Sequence, residues 1–427
     1  MHILLIHQAF AALDEPGGTR HHELARYLAD QGQRVTIIAS PVSYLTGGKT
    51  SPPTPSPAGT PLPPLPVREG EGVGDGGEVR ILRTATYHAL HRSFVHRVFV
   101  FFSFMLSSFV VGLRVRKVDL VWGTSPPIFQ GWTAWLLARL KRVPFLFEVR
   151  DLWPAFAIAV GVLRNRTLIR LSEWLERFLY RHSDRVMVNS PGFIAHVKSR
   201  GAKRVELVPN GAEPGMFDPA DNGDMFRASH HLEDRFVALY AGAHGMSNDL
   251  GVVLEAARIL QDEVIDTSKV TVTSGIHIVL LGDGKEKPRL QEQAVAMGLT
   301  NVTFVPPVPK NDMAAALAAA NACIAILKPL DEYKTTYPNK VFDYMAAGRP
   351  VVLAIDGVIH EMVEAAECGI FAQPGDPAAL ANAIRALASD PARSRRTGLK
   401  GRRYVEAHFS RSMLAEKLAH ILEEMMV

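Results

Sequence analysis

Short apolar runs alternate with helical segments along almost the whole chain, and this alternation restricts the fold more than any other feature. In the first half the runs fall at Ile3–Ile6, Val35–Ala39, Val79–Leu82, Leu120–Trp122, Pro144–Glu148, Val186–Asn189 and Val205–Val208. Helices are predicted between them, among others at Thr19–Gln31, Arg166–His182 and Gly192–Arg200. The second half repeats the pattern, with strands at Phe236–Tyr240, His277–Leu281, Val302–Val305, Ala322–Ala325, Pro350–Leu353 and Gly369–Ala372. Its helices include Asp249–Gln261, Asn311–Ala320 and Pro377–Ser389. Repetition of this kind predicts an α/β fold built from two doubly wound parallel-sheet (Rossmann-like) domains.

A chain of 427 residues is long enough for two cores of ordinary size. The expected division is an N-terminal domain at 1–208, a polar Gly- and Pro-bearing linker at 209–234, and a C-terminal domain at 235–409. Residues 410–427 carry a last helix, Ser410–Met426, that is expected to pack back on the first domain. Lys49–Gly77 is dominated by Pro, Gly, Ser and Thr and has too little apolar surface to offset the cost of ordering. It reads as a flexible insertion, with an SH3-like ligand in its Pro-rich half as a lesser reading. Val98–Leu113 has no charge, is flanked by Arg92, Arg97, Arg114, Arg116 and Lys117, and falls short of a spanning length. It reads as a helix packed on the sheet or as one lying in a bilayer surface.

The net charge of +4 conceals an asymmetry: residues 1–204 hold 26 Lys/Arg against 14 Asp/Glu, and the remainder 21 against 29. A basic first half implies an anionic partner. With no zinc-finger, RNA-recognition or repeat signature, nucleic acid is not expected, which leaves an anionic membrane surface or a lipid-linked phosphate. Cys323 and Cys368 lie far apart in apolar surroundings, so neither a disulfide framework nor a metal site is expected, and a reducing compartment fits. The opening Met-His-Ile-Leu-Leu-Ile-His reads as a strand rather than a signal peptide.

Four segments carry candidate chemistry. Tyr337-Pro-Asn-Lys-Val-Phe-Asp opens a helix ahead of a buried strand, with Pro338 presetting φ and Asn339 as N-cap. A helix start suits a diphosphate. Lys340 in its first turn adds a full charge, and Asp343 on the same face is placed to accept from sugar hydroxyls; the plain alternative is an ordinary surface ion pair. Gly17-Gly18, between the first strand and first helix, permits close backbone approach to a ligand, but it is not Gly-x-Gly-x-x-Gly, and a nicotinamide dinucleotide fits poorly. Glu148-Val-Arg150-Asp151 sits where a parallel strand ends, the place where open α/β sheets keep their sites. Asp151 or Glu148 is then an acceptor for a reacting hydroxyl, or the three charged groups simply pair with one another. Leu281-Gly282-Asp283-Gly284 is a second glycine-rich strand-to-helix turn.

Read in order, the blocks HQAF, GGTRHHELARYLADQGQRVTIIAS, SPP at 125–127, EVRDLWP, VPNGAE, YAGAHG, LLGDG, PNKVFDYMAAGRPVV and GIFAQPGDPAALANAI resemble the family 4 glycosyltransferases, the retaining class with the GT-B fold. The branch is similar to the WbuB-type N-acetylfucosaminyl transferases of surface-polysaccharide assembly. The resemblance implies two domains facing across a cleft, a nucleotide sugar in the second, an acceptor in the first, and chemistry with no metal and no further cofactor. Matched by motif, Asp343 is the ribose-gripping acid of E-x7-E, and Gly17 and Gly18 touch the diphosphate and sugar. Asn339 and Lys340 form the phosphate-facing helix start, and Gly242 is the glycine of the first donor-domain turn. The chain departs from the family at Thr335, where the first acid of E-x7-E belongs, and at Arg150, where many relatives have histidine. His244 and Asn248 stand where an Arg and Lys pair is usual, so phosphate charge rests on Lys340 with Arg20 or Arg150 as helpers. The implied activity is hexosyl transfer from a UDP-sugar to a polyprenyl-diphosphate-linked or other glycan acceptor at the cytoplasmic membrane face. A UDP-sugar 2-epimerase of the same architecture and a non-catalytic nucleotide-sugar-binding protein are the alternatives.

Overall fold

The computed structural model describes residues 1–12, 15, 17–41, 67–73, 77–86, 94–265 and 275–426, which form two compact units, Met1–Pro209 with Ser412–Val427, and Asn210–Arg411. The first unit is built on strands β1 (His2–Ile6), β2 (Arg34–Ala39), β3 (Val67–Val73), β4 (Gly77–Arg83), β5 (Leu120–Ser125), β6 (Phe145–Val149), β7 (Arg185–Val188) and β8 (Val205–Leu207). They lie in the order β3-β4-β2-β1-β5-β6-β7-β8, and every pairing is parallel except β3 with β4. Helices α1 (Arg20–Asp30), α2 (Phe94–Arg114), α3 (Phe129–Lys141), α4 (Ala155–Ala159), α5 (Arg166–His182) and α6 (Ile194–Ser199) connect them.

Successive side chains of a strand point to opposite faces, and here both faces are covered. Ile3 and Leu5 join one core with Leu24, Leu28 and Trp122, while Leu4 and Ile6 join another with Phe104, Leu137, Phe147 and Leu179. Helix α1 thus covers one face, and α2, α3 and α5 the other. The expected insertion 49–77 needs correction at its end. Val67–Val73 alternates Val, Glu and Gly, and its backbone pairs antiparallel with β4, Val67 opposite Arg83 and Val73 opposite Gly77. The Pro-rich part, 49–66, and residues 74–76 lie outside the described residues.

The second unit has β9 (Phe236–Ala241), β10 (Ile276–Leu281), β11 (Val302–Val305), β12 (Ala322–Ile326), β13 (Val351–Ala354) and β14 (Gly369–Phe371) in the order β11-β10-β9-β12-β13-β14, all parallel. Its helices are α7 (Asp224–Ser229), α8 (Leu250–Ile265), α9 (Lys287–Ala296), α10 (Met313–Ala319), α11 (Asn339–Ala346), α12 (Val358–Ala365), α13 (Pro377–Ala388) and α14 (Pro391–His408). Along β9, Val237, Leu239 and Ala241 face the α11 side, and Ala238 and Tyr240 face the α8 side. The stretch 209–234 is not a free linker: Phe217 and Leu232 are buried in this unit's core, and α7 sits within it. The last helix, α15 (Arg411–Glu424), belongs from Ser412 to the first unit, where Leu414, Leu418 and Leu422 pack with Ile3, Leu5 and Leu28.

Among the described residues, no helix is long and apolar enough to cross a membrane. Helix α2 instead splits its apolar residues between two faces. Val100 and Phe104 are buried, while Phe102 and Leu106 are 52% and 68% exposed.

Candidate functional site

In the second unit the candidate residues gather at the carboxyl ends of β9 and β10, where successive parallel strands open into glycine turns. Helix α11 begins at Asn339, and Pro338 rather than Asn339 occupies the cap position. The proline holds the fixed φ that starts the helix, and Asn339 turns its side-chain amide onto Asp343, donating to Oδ2 at 3.2 Å. Lys340 follows in the first turn. Its Nζ lies 3.8 Å from the centroid of the Tyr240 ring and is buried with no hydrogen-bond partner. Loss of water alone brings this ammonium down from 10.5 to about 7.

Two glycines make room for that arrangement. Gly242 has φ +148°, and a Cβ there would stand 2.9 Å from Lys340 Nζ. Gly282 has φ +144°, and its Cβ would meet the Gly242 carbonyl oxygen at 1.9 Å. The two turns are laced together, with Gly242 N donating to Leu281 O at 3.0 Å and His244 N to Asp283 O at 2.8 Å. His244 is fully buried, and neither of its ring nitrogens has a partner. Burial first, then the Lys287 and Lys340 charges, lower its imidazole to about 4, so it is neutral near pH ~7. The Asp283 carboxylate accepts from Gly284 N at 2.8 Å and so closes the turn.

Buried polar atoms are normally paired, and each exception calls for an explanation. Here Lys340 Nζ, both His244 nitrogens and Asn339 Oδ1 are buried without a partner among the described residues. Such a cation beside glycine turns and a helix start can receive an anion that supplies the missing contacts.

Asp343 is already engaged: Lys310 Nζ lies 2.6 Å from Oδ1, with the Lys310 side chain 9% exposed. The Lys310 ammonium also sits 5.6 Å from the Phe217 ring centroid. Sequence reasoning missed Lys310, a single lysine between β11 and α10 with no periodic signal around it. At Thr335 the hydroxyl donates to the Glu332 carbonyl at 2.6 Å, which stabilises its own 3-10 turn.

In the first unit the strand-end residues take unequal roles. Glu148 is fully buried and accepts from Arg20 Nε at 3.2 Å, His21 Nε2 at 2.6 Å and Trp122 Nε1 at 3.2 Å. Burial pushes its carboxyl up, but His21, Arg20 and Arg150 outweigh that and hold it below the usual carboxylate range. Both oxygens are therefore spent inside the protein. The expectation that Glu148 accepts from a reacting hydroxyl is corrected to a buried organising role. Arg20 also donates to the Pro209 and Val208 carbonyls, at 2.6 and 2.7 Å. Arg150 donates to the Ser125 and Pro126 carbonyls at 3.0 and 3.1 Å, holding the Ser-Pro-Pro turn.

Asp151 is exposed. Crowding by protein raises its carboxyl toward about 6 against the pull of Arg150, and its exposure argues for a smaller rise. Gly17 and Gly18 are also exposed, and Gly17 has φ +150°. Their loop is pinned by Glu15, buried and paired with Arg83 at 2.9 Å, whose guanidinium also donates to the Ser40 carbonyl at 2.9 Å. His7 follows β1 with both ring nitrogens buried and unpartnered, 4.2 Å between its ring centroid and that of His21. His7 heads the HQAF block but is given no role of its own there, and the Glu15–Arg83 pair is not singled out by spacing or motif. The first unit thus joins Arg20 to Glu148 and carries Arg150, Asp151, Gly17 and Gly18, and the second gathers Gly242, His244, Gly282, Asp283, Asn339, Lys340 and Asp343.

Two family models match in tandem. Residues 17–211 match the glycosyl transferase 4-like domain, and residues 235–390 match the glycosyl transferases group 1 domain. The chain is 23% identical over 348 residues to the putative colanic acid biosynthesis glycosyl transferase WcaI of Escherichia coli, covering 78% of each chain. Its fold matches sucrose-phosphate synthase from Thermosynechococcus elongatus with a TM-score of 0.75, at 21% identity over 99% of this chain and 98% of the other. It also matches Anabaena HepE in complex with UDP-glucose, with a TM-score of 0.66 at 14% identity over 99% and 100% of the two chains. The two matched domains in this order, on two doubly wound parallel sheets, place the chain in the GT-B glycosyltransferases of the glycosyl transferase 4-like and group 1 kind.

Proposed function

We propose that this protein is a retaining glycosyltransferase of surface-polysaccharide synthesis. It moves an N-acetylated hexosamine or deoxyhexosamine from a UDP-sugar to a polyprenyl-diphosphate-linked or other glycan acceptor. The observation that carries the donor half is the buried, unpartnered Lys340 ammonium beside Gly242 and Gly282 at the start of α11. A diphosphate there receives a full positive charge and the first-turn N–H groups of the helix. When the sugar–phosphate bond breaks, negative charge grows on the departing phosphate, and a donor already fixed in place stabilises it without reorganisation. In this reading protein groups rather than a metal ion neutralise the leaving group, and no further cofactor takes part. Asp343, steadied by Lys310 and Asn339, serves the ribose hydroxyls, and UDP complexes of fold relatives such as Anabaena HepE favour uridine as the base.

On the acceptor side, Asp151 is the exposed carboxylate at the end of β6 and the group that receives the acceptor hydroxyl's hydrogen bond. Arg150 and Glu148 fix the strand end that carries it, and Gly17 and Gly18, by their match to the family's glycine loop, are the groups assigned to the diphosphate and sugar. The mechanism proposed is front-face: the diphosphate departs on the side where the acceptor hydroxyl enters, which keeps the anomeric configuration. The similarity to WcaI favours a polysaccharide acceptor, and the basic first unit favours one held at the cytoplasmic face of the membrane, with the protein bound peripherally. UDP release from a panel of UDP-sugars, with and without a membrane lipid extract, tests this. Acceptor-dependent release with one donor supports transfer and identifies the sugar. An isomerised UDP-sugar with no acceptor requirement would replace transfer by epimerisation, and UDP binding without turnover on any donor would leave a binding protein.

A further inference from the structure

Helices α2, α3 and α5 cover the same face of the first unit's sheet, and their outer surface is unusually apolar. Of the fifteen large hydrophobic residues most exposed among the described residues, nine lie on these three helices. On α2, Phe102, Leu106, Val110 and Leu113 recur at spacings of three and four, a stripe along one side of the helix. Phe102 meets Phe129 of α3 with ring centroids 5.9 Å apart, and Trp132 of α3 meets Trp174 and Phe178 of α5 at 6.3 and 5.0 Å. The three helices thus share one aromatic surface. It ends on α5 in Leu171 and Trp174, which are 57% and 52% exposed.

The charges beside this surface are predominantly positive. Arg166, Arg170, Arg177 and Arg181 are exposed along α5. Of the two acids on that helix, Glu176 is fully buried against His196 and Arg200, and Glu173 is paired with Arg177. The α3 end adds Arg139, Lys141 and Arg142, and the α2 end adds Arg114, Arg116 and Lys117, with no acid in either run. Three of the five tryptophans, Trp132, Trp135 and Trp174, gather here. Apolar side chains lined by arginine, with indole rings at the border, match the layered chemistry of an anionic bilayer surface. A protein partner of this size would be expected to leave acids as well as bases at the rim.

We propose that the outer face of α2, α3 and α5 is a membrane-docking surface. Leu106, Leu171 and Trp174 enter the headgroup–acyl boundary, and the α5 arginines hold anionic phospholipid headgroups. The inference rests on the membrane part of the function proposed above, not on sugar transfer, and it moves the contact from α2 alone to a three-helix face centred on α5. It deepens that reading by naming the residues that touch lipid.

The test is co-sedimentation of the full chain with vesicles of phosphatidylglycerol and phosphatidylcholine, and with phosphatidylcholine alone. Wild-type protein binds the anionic vesicles and is released by salt. The L106D/L171D double variant, changed only at exposed positions, binds at least tenfold more weakly. The R166A/R170A variant loses about fivefold per charge. Both variants keep the wild-type unfolding temperature, which separates lost docking from misfolding. Wild-type protein that ignores anionic vesicles overturns this inference and the membrane part of the function, and leaves sugar transfer untouched. Variants that bind as well as wild type overturn this face alone. A wild-type dimer that ignores vesicles and becomes monomeric in L106D/L171D assigns the face to a second copy of the chain and overturns the proposal.

Discussion

Lys340 offers a quantitative test of the donor site. Its ammonium is brought from 10.5 to about 7 by loss of water. That difference corresponds to about 5 kcal/mol of hydration that no protein group restores. A diphosphate at Nζ restores it, so the lysine binds a proton as UDP binds. If the bound ammonium titrates near its ordinary value, UDP affinity falls about fiftyfold from about pH 7 to about pH 9. Calorimetry in two buffers of different ionisation enthalpy reads the proton directly, with uptake approaching about one per UDP at the alkaline end. Lys340→Met gives weaker binding that no longer varies over this range. The folded chain alone gives an independent check. A lysine whose folded pKa is depressed binds fewer protons folded than unfolded between the two values, so stability rises with pH through that window. The cost is greatest below about pH 7, where the buried cation is charged in both states. Lys340→Met therefore unfolds at a higher temperature than wild type at about pH 6, and the gap closes toward about pH 10. UDP affinity flat from neutral to alkaline pH, or an equal slope in the variant, would refute the reasoning.

Turnover of Lys340→Ala falls about a hundredfold with the best UDP-sugar donor; a loss within threefold would remove Lys340 from leaving-group stabilisation. Gly282→Ala drives a Cβ into the Gly242 carbonyl, so UDP binding by calorimetry weakens more than tenfold, together with a loss of about 2 kcal/mol in stability. Glu148→Gln leaves Arg20 and His21 without their carboxylate and lowers unfolding stability at neutral pH by about 3 kcal/mol. Because the folded Glu148 carboxyl lies below its ordinary value, that stabilisation is present above about pH 4.5 and lost on acidification, so the gap to wild type narrows in acid. Lys310→Met removes the ammonium that lies 2.6 Å from Asp343, and uridine nucleotides then bind more weakly while the melting profile shifts by a few degrees.

The fold was legible because buried parallel strands leave a strong local record. Ile3–Ile6 and Val35–Ala39 are apolar on both faces, and a run of that kind has few other places to go. Val67–Val73 was missed because a Glu- and Gly-rich edge strand draws its order from the neighbour it pairs with, not from its own composition. The same distinction holds in the site. Gly242, Gly282 and Lys340 lie in local motifs whose backbone demands show in the sequence. Lys310, Glu15 and Arg83 act through partners 33, 68 and 68 positions away, and no local pattern announces such a pairing. Glu148 was misjudged for the same reason: its type and strand-end position fit a site, but Trp122 and His21, which consume its oxygens, come from other segments.

Helix α15 gives the chain a particular order of completion. Leu414, Leu418 and Leu422 complete the same core as Ile3 and Leu5, which are synthesised some four hundred residues earlier. Their face of the sheet is covered only in part, by α1, until α15 is made, while the second unit, contiguous from Asn210 to Arg411, has everything it needs sooner. The unit begun first is therefore finished last. Excising it at Pro209 leaves a sheet whose α1 side has lost the Leu414, Leu418 and Leu422 part of its cover, and a nick after Arg411 threatens the first unit more than the unit it adjoins.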